Sequence, residues 1–392
     1  MKLIDQPMPT VKENMALVES LYTVVSAGTE RGLASFGGKN LIQKALERPD
    51  QVKKVMEKLS TDGIVTTIES AFNKLAEPMG YSGVGRVIAC GKGVTEVQAG
   101  DLVAMVGTAY HCEINRVSRT MLTKVPEELT DYRQAAFCAL GGIALEGIHQ
   151  AEVVPGETVA VIGMGLVGQI VCRILNAYGC DVIGYDVVDK TMPGTRLKAF
   201  INSGDDNAAD MTKALTRGRG VDKVIITAAT NSNAPMDLAA AIARDRGIIC
   251  MIGVTQMNID RRPYYERELS FRIARSYGAG RYDSTYEQKG IDYPIGYVRF
   301  TEGRNIEEFV RLLAQGRISL ADIITHEIPF EKAAEAYEMI TKNPNHERYI
   351  GVLLKYDEND TKWQSRIENP KAKRAASGEK IRLGLIGAGN FV

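Results

Sequence analysis

Residues 158–168 have the sequence TVAVIGMGLVG, in which an apolar run leads directly into three glycines spaced G-x-G-x-x-G. The pattern predicts a buried strand, a tight turn and an apolar helix over 166–178. A second predicted strand at 181–185 is followed by the acid Asp186. Strand, turn, helix, second strand and acid together predict a parallel α/β sheet that binds a dinucleotide at the carboxyl ends of its strands.

Each part of this stretch has a physical role. Gly163 permits the tight turn, Gly165 lets the backbone approach a pyrophosphate, and Gly168 lets the helix pack close to the strand. The Asp186 carboxylate can accept hydrogen bonds from an adenosine ribose. A glycine-rich turn without a cofactor is the alternative. The predicted cofactor-binding residues are Gly163, Met164, Gly165, Leu166, Val167, Gly168 and Asp186.

The composition is that of an ordinary globular protein. The chain has 392 residues, with 48 Lys plus Arg balanced by 48 Asp plus Glu. Its length predicts two or three domains, and its zero formal charge argues against nucleic acid or an anionic membrane as a partner. The sequence contains neither an apolar run of membrane-spanning length nor a secretory signal pattern. Six cysteines without CxxC spacing predict free thiols in a cytoplasmic protein.

The predicted secondary structure changes along the chain. Short strands separated by glycine turns are predicted at 15–26 and 84–107, with a helical insertion between them at about 40–76. A predicted helix at 135–150 precedes the glycine-rich stretch. Strands and helices then alternate as far as residue 276, which predicts a doubly wound parallel sheet with its ligand at the carboxyl ends of the strands.

Residues 276–299 differ again, because they are rich in Tyr, Arg, Asp and Gly and contain no long apolar run. We expect them to border the ligand cleft as the chain leaves the parallel sheet. Helices at 306–315 and 330–340 and a strand at 349–354 are predicted beyond them.

The segments VSAGTE at 25–30, GYSGVGRV at 80–87 and GDLV at 100–103, with the glycine-rich stretch, resemble the medium-chain dehydrogenase/reductases of the alcohol dehydrogenase superfamily. The resemblance covers the chain to about residue 356. It implies an α/β fold that combines a GroES-like, β-rich catalytic domain with a doubly wound parallel Rossmann sheet. The implied divisions are 1–150 for the catalytic domain, 151–278 for the Rossmann domain and 279–356 for the return to the catalytic domain.

The last part of the chain resembles a particular subgroup. Residues 357–380 are mostly polar and predict a linker, and 381–392 (IRLGLIGAGNFV) predict the truncated start of a second Rossmann domain. Together with GAGRYDSTYEQKGIDYP at 278–294, this terminus resembles bi-domain enzymes in which a medium-chain reductase is fused to a Gfo/Idh/MocA-type oxidoreductase. An incidental apolar tail is the alternative. A fragment shortened at both ends is one interpretation of the chain, because Met1 also lies close to Pro7.

The sequence departs from the zinc-dependent members at the metal site. They carry Cys and His where this chain has Ala27 and Tyr81, and the cysteines of a structural zinc lobe are absent after Gly107. Zinc needs three or four converging ligands, so we expect no zinc and a zinc-independent reaction. The alternative ligand set is His111, Cys112, Glu30 and Cys138.

Without a metal, hydride transfer needs a hydrogen-bond donor or general acid at the reacting oxygen. The resemblance places Thr29 at the position of a proton-relay hydroxyl and Glu30 at that of an acid behind the metal ligands, while Tyr81 can present its phenol to the substrate. These three are the predicted catalytic residues. In the alternatives, Thr29 closes a turn, Glu30 pairs with Arg31 or Arg86, and Tyr81 packs in the cleft.

Arg281 and Tyr282 are predicted to contact the substrate, because guanidinium groups bind carboxylates and phosphates and tyrosines stack on sugar faces. A polar substrate, such as a sugar or a nucleotide sugar, fits these residues. The alternative is a surface loop that packs its own aromatic rings or forms a dimer contact.

The sequence therefore predicts an NAD(H)-dependent, zinc-independent oxidoreductase acting on a polar alcohol or carbonyl. NAD(H) is favoured over NADP(H) because Asp186 would repel a 2′-phosphate. A quinone- or enone-type C=C reductase and an inactive nucleotide-binding scaffold are the alternatives. The resemblance also implies a homodimer, and neither nucleic acid nor a membrane is expected as a partner.

Overall fold

The computed structural model describes residues 3–28, 30, 78–344 and 346–358. The predicted insertion at 40–76, the segment 381–392 and nearly all of the predicted linker at 357–380 lie outside these residues, and so does Thr29. Within the described part, no helix is long and apolar enough to cross a membrane.

The described strands form two sheets. In chain order they are β1 (Met15–Val25), β2 (Ser82–Cys90), β3 (Leu102–Val106), β4 (Ile114–Ser118), β5 (Leu122–Lys124), β6 (Thr158–Ile162), β7 (Asp181–Asp186), β8 (Ala199–Asn202), β9 (Val221–Ile226), β10 (Ala243–Met251), β11 (Ser270–Ile273), β12 (Ile324–Pro329) and β13 (Gly351–Lys355). The first sheet has the order β12-β13-β1-β2-β3-β5, with β4 paired to β1, and the second has the order β11-β10-β9-β6-β7-β8.

The first sheet is centred on β1, which pairs antiparallel with β2, β4 and β13. Only Met15 and Glu19 of this strand are partly exposed, because neighbouring strands and the core cover the rest. β12 and β13 come from the far end of the described chain and pair parallel with each other. The chain therefore completes this sheet only after it has built the second one.

The second sheet is parallel throughout. Every residue of β6 after Thr158 is buried, as expected for an apolar run covered on both faces. From β6 the chain builds β7 and β8 on one side and β9, β10 and β11 on the other. This reversal leaves a crevice at the carboxyl ends of β6 and β9, where ligands of such sheets bind.

Helices cover the sheets. They are α1 (Cys138–Gln150), α2 (Leu166–Ala177), α3 (Ala208–Leu215), α4 (Ala234–Ile242), α5 (Arg261–Glu266), α6 (Ser284–Glu287), α7 (Glu302–Ala314) and α8 (Ala333–Lys342), with short 3₁₀ turns at 119–121, 132–137 and 330–332. α1 and α7 pack closely, since a Cβ on Gly141 would lie 2.2 Å from the Phe309 ring. One apolar cluster joins Val18, Val161 and Phe309, so the two sheets share a continuous core.

The structure differs from the sequence-based expectation at several boundaries. α7 begins at Glu302 rather than at residue 306, because the Thr301 hydroxyl accepts the backbone N–H of Arg304 at 3.5 Å and caps a polar first turn. The strand β4 was not predicted, since its central residues Asn115 and Arg116 are polar. Residues 276–299 form turns around the short helix α6.

Candidate active site

The three glycines of the turn after β6 take three different roles. Gly163 has φ of +109°, and a Cβ there would lie 2.6 Å from the backbone nitrogen of Ala228. A Cβ on Gly168 would lie 1.9 Å from the carbonyl oxygen of Gly163, so helix α2 packs directly on the turn. Gly165 is exposed, and nothing lies within 4 Å of the position its Cβ would take. The turn is therefore closed on the protein side and open at Gly165.

The start of α2 completes this open side. Gly165 is the residue before the helix and provides no side-chain cap. The N–H groups of a first helical turn have no partner within the helix, and they attract anions together with the helix dipole. Leu166 and Val167 begin the helix, and Met164 is buried beneath it. The geometry suits a pyrophosphate over Gly165.

Asp186 lies beside the same turn, at the carboxyl end of β7. Its Oδ2 accepts the backbone N–H of Met164 at 2.8 Å, and its Oδ1 accepts that of Val187 at 2.8 Å. Lys190 Nζ lies 3.7 Å from Oδ1. Oδ1 also accepts the N–H of Val188 at 3.5 Å, whereas Oδ2 has a further lone pair that can accept a hydroxyl. The chain thus holds a carboxylate where a dinucleotide ribose would need one.

Glu30 follows β1 of the first sheet, and it is 1% exposed. Its Oε2 accepts the backbone N–H of Ser26 at 3.1 Å and the hydroxyl of Tyr337 at 3.0 Å. Its Oε1 accepts the backbone N–H of Gly80 at 2.9 Å and lies 3.4 Å from His111 Nε2. The carboxylate therefore accepts three hydrogen bonds, from Ser26, Gly80 and Tyr337, and His111 lies within ion-pair distance of it.

The alternative role of Glu30, an ion pair with Arg86, is not formed, because the Arg86 guanidinium donates to the Gly100 carbonyl at 3.2 Å instead. The other partner in that alternative, Arg31, lies outside the described residues. The contacts of Glu30 are those of a residue that positions the backbone around it.

Tyr81 directly follows Gly80, the residue whose N–H donates to Glu30. Gly80 has φ of +92°, and a Cβ there would lie 2.7 Å from the backbone nitrogen of His111. The Tyr81 carbonyl accepts the N–H of Gly107 at 2.9 Å, and the Met79 carbonyl accepts that of His111 at 2.7 Å. The backbone on both sides of the Tyr81 ring is therefore fixed by neighbouring loops.

The zinc alternative is not supported by the side chains that it needs. Cys138 is fully buried and lies 3.3 Å from the Met105 carbonyl, and burial raises the pKa of its thiol to about 11. Cys112 contacts the Ile114 carbonyl at 3.3 Å, and burial raises the pKa of its thiol to about 12. Each of the two thiols therefore already donates to a backbone carbonyl.

The other two residues of the alternative ligand set, His111 and Glu30, contact other groups of the protein. His111 Nδ1 lies 2.7 Å from the hydroxyl of Thr23, which in turn lies 3.0 Å from that of Tyr356. Among the residues that the structure covers, no three His, Cys, Asp or Glu side chains converge as a metal site would require. In the described part of the chain, the four side chains of this alternative set do not form a zinc site.

The predicted substrate residues lie after β11. Arg281 pairs with Glu287 at 2.5 Å and also lies over the rings of Tyr277 and Tyr282. Tyr282 is 70% exposed and has φ of +67°. The alternative, a loop that packs its own aromatic rings, is also seen in part, because Tyr286 and Tyr293 stack with ring centroids 5.6 Å apart.

Three residues near the site were missed by sequence reasoning. Tyr337 reaches Glu30 across 307 residues of chain, so no local pattern could indicate it. Tyr277 and Glu302 are both buried, and the charge of Tyr81 acts on the pKa values of both Tyr277 and Tyr337. Tyr81 is therefore close enough to both tyrosines for an ionised phenol to influence theirs. Burial raises the pKa of Glu302 to about 8.

Comparisons with known proteins agree with this architecture. The model of the zinc-binding dehydrogenase family matches residues 167–292. The chain is 25% identical over 303 residues to a probable D-xylulose reductase A of Emericella nidulans, covering 67% of this chain and 77% of that protein. It is 26% identical over 287 residues to D-guloside 3-dehydrogenase of Escherichia coli, covering 70% of this chain and 77% of that protein.

Solved structures show the same fold. An alcohol dehydrogenase from Thermus sp. ATN1 superposes with a TM-score of 0.64 at 18% identity, over 90% of this chain and 96% of that one. The two sheets of this chain therefore correspond to the GroES-like domain and the Rossmann sheet that were expected from the sequence. From the fold, the family match over residues 167–292 and the relatives, the chain is an oxidoreductase of alcohol dehydrogenase type, similar to the medium-chain, zinc-type alcohol dehydrogenase-like proteins.

Proposed function

We propose that this chain is an NAD(H)-dependent, zinc-independent oxidoreductase that interconverts a polar alcohol and its carbonyl compound, with a sugar, polyol or nucleotide sugar as substrate. The observation that carries the proposal is the turn after β6. It combines an open backbone approach at Gly165 with a carboxylate at Asp186, which suits the pyrophosphate and the adenosine ribose of a dinucleotide.

The choice of NAD(H) over NADP(H) rests on charge. A 2′-phosphate beside Asp186 would meet a carboxylate that is held in place by two backbone N–H groups. Lys190 is the nearby cation, and it already lies within ion-pair distance of the same carboxylate. The ribose hydroxyls of NAD(H) can donate to that carboxylate without opposing its charge.

The proton chemistry is assigned to Tyr81 and its supports. When bound, NAD(H) would supply or accept the hydride. The Tyr81 phenol donates its proton to the carbonyl oxygen during reduction and takes it back during oxidation. Glu30 holds the backbone of Gly80 and thereby positions the phenol. Thr29 remains a proposed proton-relay hydroxyl. No zinc ion is required in this scheme, since the hydrogen bond from Tyr81 stabilises the reacting oxygen.

The substrate class follows from the relatives and the cleft. The two relatives described above are named for a ketose and for a guloside, both of which are rich in hydroxyl groups. Arg281 and Tyr282 add a guanidinium and an exposed ring beside the site, which suit a polar, sugar-like molecule.

The proposal is tested by following NADH oxidation and NAD⁺ reduction by the purified chain. One panel contains ketoses, aldoses, polyols and nucleotide sugars, and a second contains enones and quinones. Turnover in the first panel alone is expected. Turnover in the second panel alone would assign a C=C reductase, and tight NADH binding without turnover in either would assign a nucleotide-binding scaffold.

We also propose that residues 381–392 begin a second Rossmann oxidoreductase domain of the Gfo/Idh/MocA type. Two hydride-transfer sites on one polypeptide would allow oxidation and re-reduction of the same carbon, which inverts a sugar centre. The intact polypeptide should then turn over with catalytic amounts of NAD⁺. Consumption of one cofactor per product would contradict this pairing.

A homodimer through the edge of the second sheet is proposed as well. β11 is one of the two edge strands of this sheet, and Ile273 on it is 56% exposed. Unpaired edges with apolar side chains favour pairing with another chain. Light scattering should give twice the chain mass, and Ile273→Lys should shift it towards the monomer; a monomeric wild type would contradict the dimer.

The cytoplasm is the proposed location, because all six cysteines are unpaired. Free thiols are typical of reducing compartments. Cell fractionation with antibody detection tests the location, and recovery from an oxidising compartment would contradict it.

A further inference from the structure

Four side chains after β11 form a continuous row from the interior to the surface. Arg281 Cζ lies 5.1 Å from the centroid of the Tyr277 ring and 4.3 Å from that of Tyr282, and Arg275 Cζ lies 5.3 Å from the Tyr282 ring. Tyr277 is 2% exposed, whereas Tyr282 is 70% exposed. We call these residues, Tyr277, Arg281, Tyr282 and Arg275, the Tyr/Arg row.

The inner end of the row lies beside the proposed site. The Tyr277 hydroxyl is 3.6 Å from the position that a Cβ on Gly107 would take, and the Gly107 N–H donates to the Tyr81 carbonyl at 2.9 Å. Tyr277 therefore adjoins the loop that holds Tyr81. A molecule that extends outward from Tyr81 would meet the row from its buried end to its exposed end.

Two buried polar atoms on the row have no hydrogen-bond partner among the described residues. They are the hydroxyl oxygen of Tyr277 and the Nε of Arg281. Buried polar groups are nearly always paired, so such atoms need an explanation. Both can donate a hydrogen bond, and Nε can only donate. Arg281 Nε therefore lacks an acceptor and the Tyr277 hydroxyl lacks any partner, while both carboxylate oxygens of the nearby buried Glu302 are also unpaired among the described residues.

The row also carries positive charge. Within the described part of the chain, no carboxylate lies at ion-pair distance from Arg275; its guanidinium donates to the Arg281 carbonyl and stacks on Tyr282. Glu287 pairs with Arg281. Glu302, whose Oε1 lies 3.0 Å from the position of a Cβ on Gly280, has a pKa that burial raises to about 8. At neutral pH it adds little negative charge to offset the two guanidinium groups.

We propose that the Tyr/Arg row binds a phosphate or diphosphate group of the substrate, with Arg281 and Arg275 contacting the anion and the sugar portion reaching Tyr81. This inference rests on the proposed function, since it assumes that the bound molecule is the one oxidised or reduced. Guanidinium groups match phosphate oxygens in geometry and give up hydration readily, which suits a half-buried site.

The experiment is calorimetric titration of the purified chain with matched ligands, without cofactor. The probes are sorbitol against sorbitol 6-phosphate, and glucose against UDP-glucose, so that monophosphate and diphosphate sources are separated. The phosphorylated member of at least one pair should bind about tenfold or more tightly than the neutral member, as charge-assisted hydrogen bonds predict. Arg275→Gln, which alters an exposed side chain, should weaken that binding about tenfold.

Variants separate charge from geometry. Arg281→Lys keeps the charge but loses the planar donor set, so it should bind the phosphorylated ligand more weakly than wild type and more tightly than Arg281→Gln. Tyr277→Phe should weaken it as well. Arg262→Gln, at an exposed pair with Glu266 in α5, is the matched control and should leave the affinity unchanged.

Equal affinities for the neutral and phosphorylated members of both pairs would overturn the inference, and so would a phosphate preference that Arg275→Gln and Arg281→Gln leave intact. These outcomes leave NADH-dependent turnover of neutral sugars possible. Failure of the proposed function would instead appear as absent hydride transfer with every compound, which calorimetry does not measure.

Discussion

The Glu30 carboxylate accepts the backbone N–H of Gly80 at 2.9 Å, joining two points 50 residues apart in the chain. Since Gly80 directly precedes Tyr81, this bond fixes the backbone from which the proposed acid projects. The same carboxylate bonds to Tyr337 in α8 and to the loop after β1. One buried acid therefore ties the site to both ends of the first sheet's domain.

Glu30→Gln should destabilise the fold by about 1–3 kcal/mol, because the amide cannot accept all the hydrogen bonds that the carboxylate accepts and a buried donor loses its partner. Urea unfolding measures the change. Tyr337→Phe removes only one of these bonds and should cost about 1 kcal/mol. Glu335→Gln, on an exposed position of α8, is the control and should be neutral. Wild-type stability of Glu30→Gln would show that the network contributes nothing.

Tyr81→Phe should lower kcat by about 10²–10⁴-fold, the range lost when a general acid is removed. NADH affinity should stay at the wild-type value. The change removes a single hydroxyl, and that hydroxyl is not part of the glycine-rich turn after β6. Stopped-flow hydride transfer and NADH fluorescence titration measure the two quantities. Tyr132→Phe, on the 3₁₀ turn at 132–137, is the control. A wild-type kcat for Tyr81→Phe would remove Tyr81 from the proton chemistry.

Asp186→Asn should weaken NADH binding by about tenfold and shift the preference towards NADPH, because the amide no longer repels a 2′-phosphate and accepts ribose hydroxyls less strongly. Fluorescence titration with both cofactors measures the ratio of the two Kd values. Asp181→Asn, at the opposite end of β7, is the matched control and should keep the wild-type ratio. An unchanged ratio in Asp186→Asn would contradict the assigned ribose contact.

Glu302 should make the folded state lose stability as the pH rises. Burial raises the pKa of this carboxyl from 4.5 to about 8, so the folded protein keeps a proton that the unfolded chain releases. Stability therefore falls between these two pH values and levels off above the higher one. Glu302→Gln should remove this part of the slope, as measured by Tm across the range. Glu307→Gln, exposed on the same helix, should retain it; equal slopes in wild type and Glu302→Gln would contradict the raised pKa.

The parallel sheet was predictable from sequence because its signals are local. The apolar run of β6, the glycine spacing and the acid after β7 lie within thirty residues of each other, and each has a steric or electrostatic reason. The superfamily and the two-sheet fold followed from such segments. The start of α7 was missed because its first turn is polar and its cap, Thr301, is followed by glutamate, glycine and arginine.

The surroundings of Tyr81 could be predicted only in part. Glu30 and Tyr81 stood out by their positions, whereas Tyr337 and Tyr277 reach the site through contacts between distant segments. The burial of Glu302 depends likewise on how α7 packs against the turn at Gly280. Such contacts depend on tertiary packing, which the spacing of residues along the chain does not encode.

The most direct measurement of the central claim is zinc content together with the hydride-transfer rate before and after dialysis against a chelator. Among the described residues, the thiols of the alternative ligand set contact backbone carbonyls and the Glu30 carboxylate accepts backbone N–H groups, so the protein should contain far less than one zinc per chain and keep its full rate after chelation. About one zinc per chain, with a rate that chelation abolishes and added zinc restores, would contradict the account.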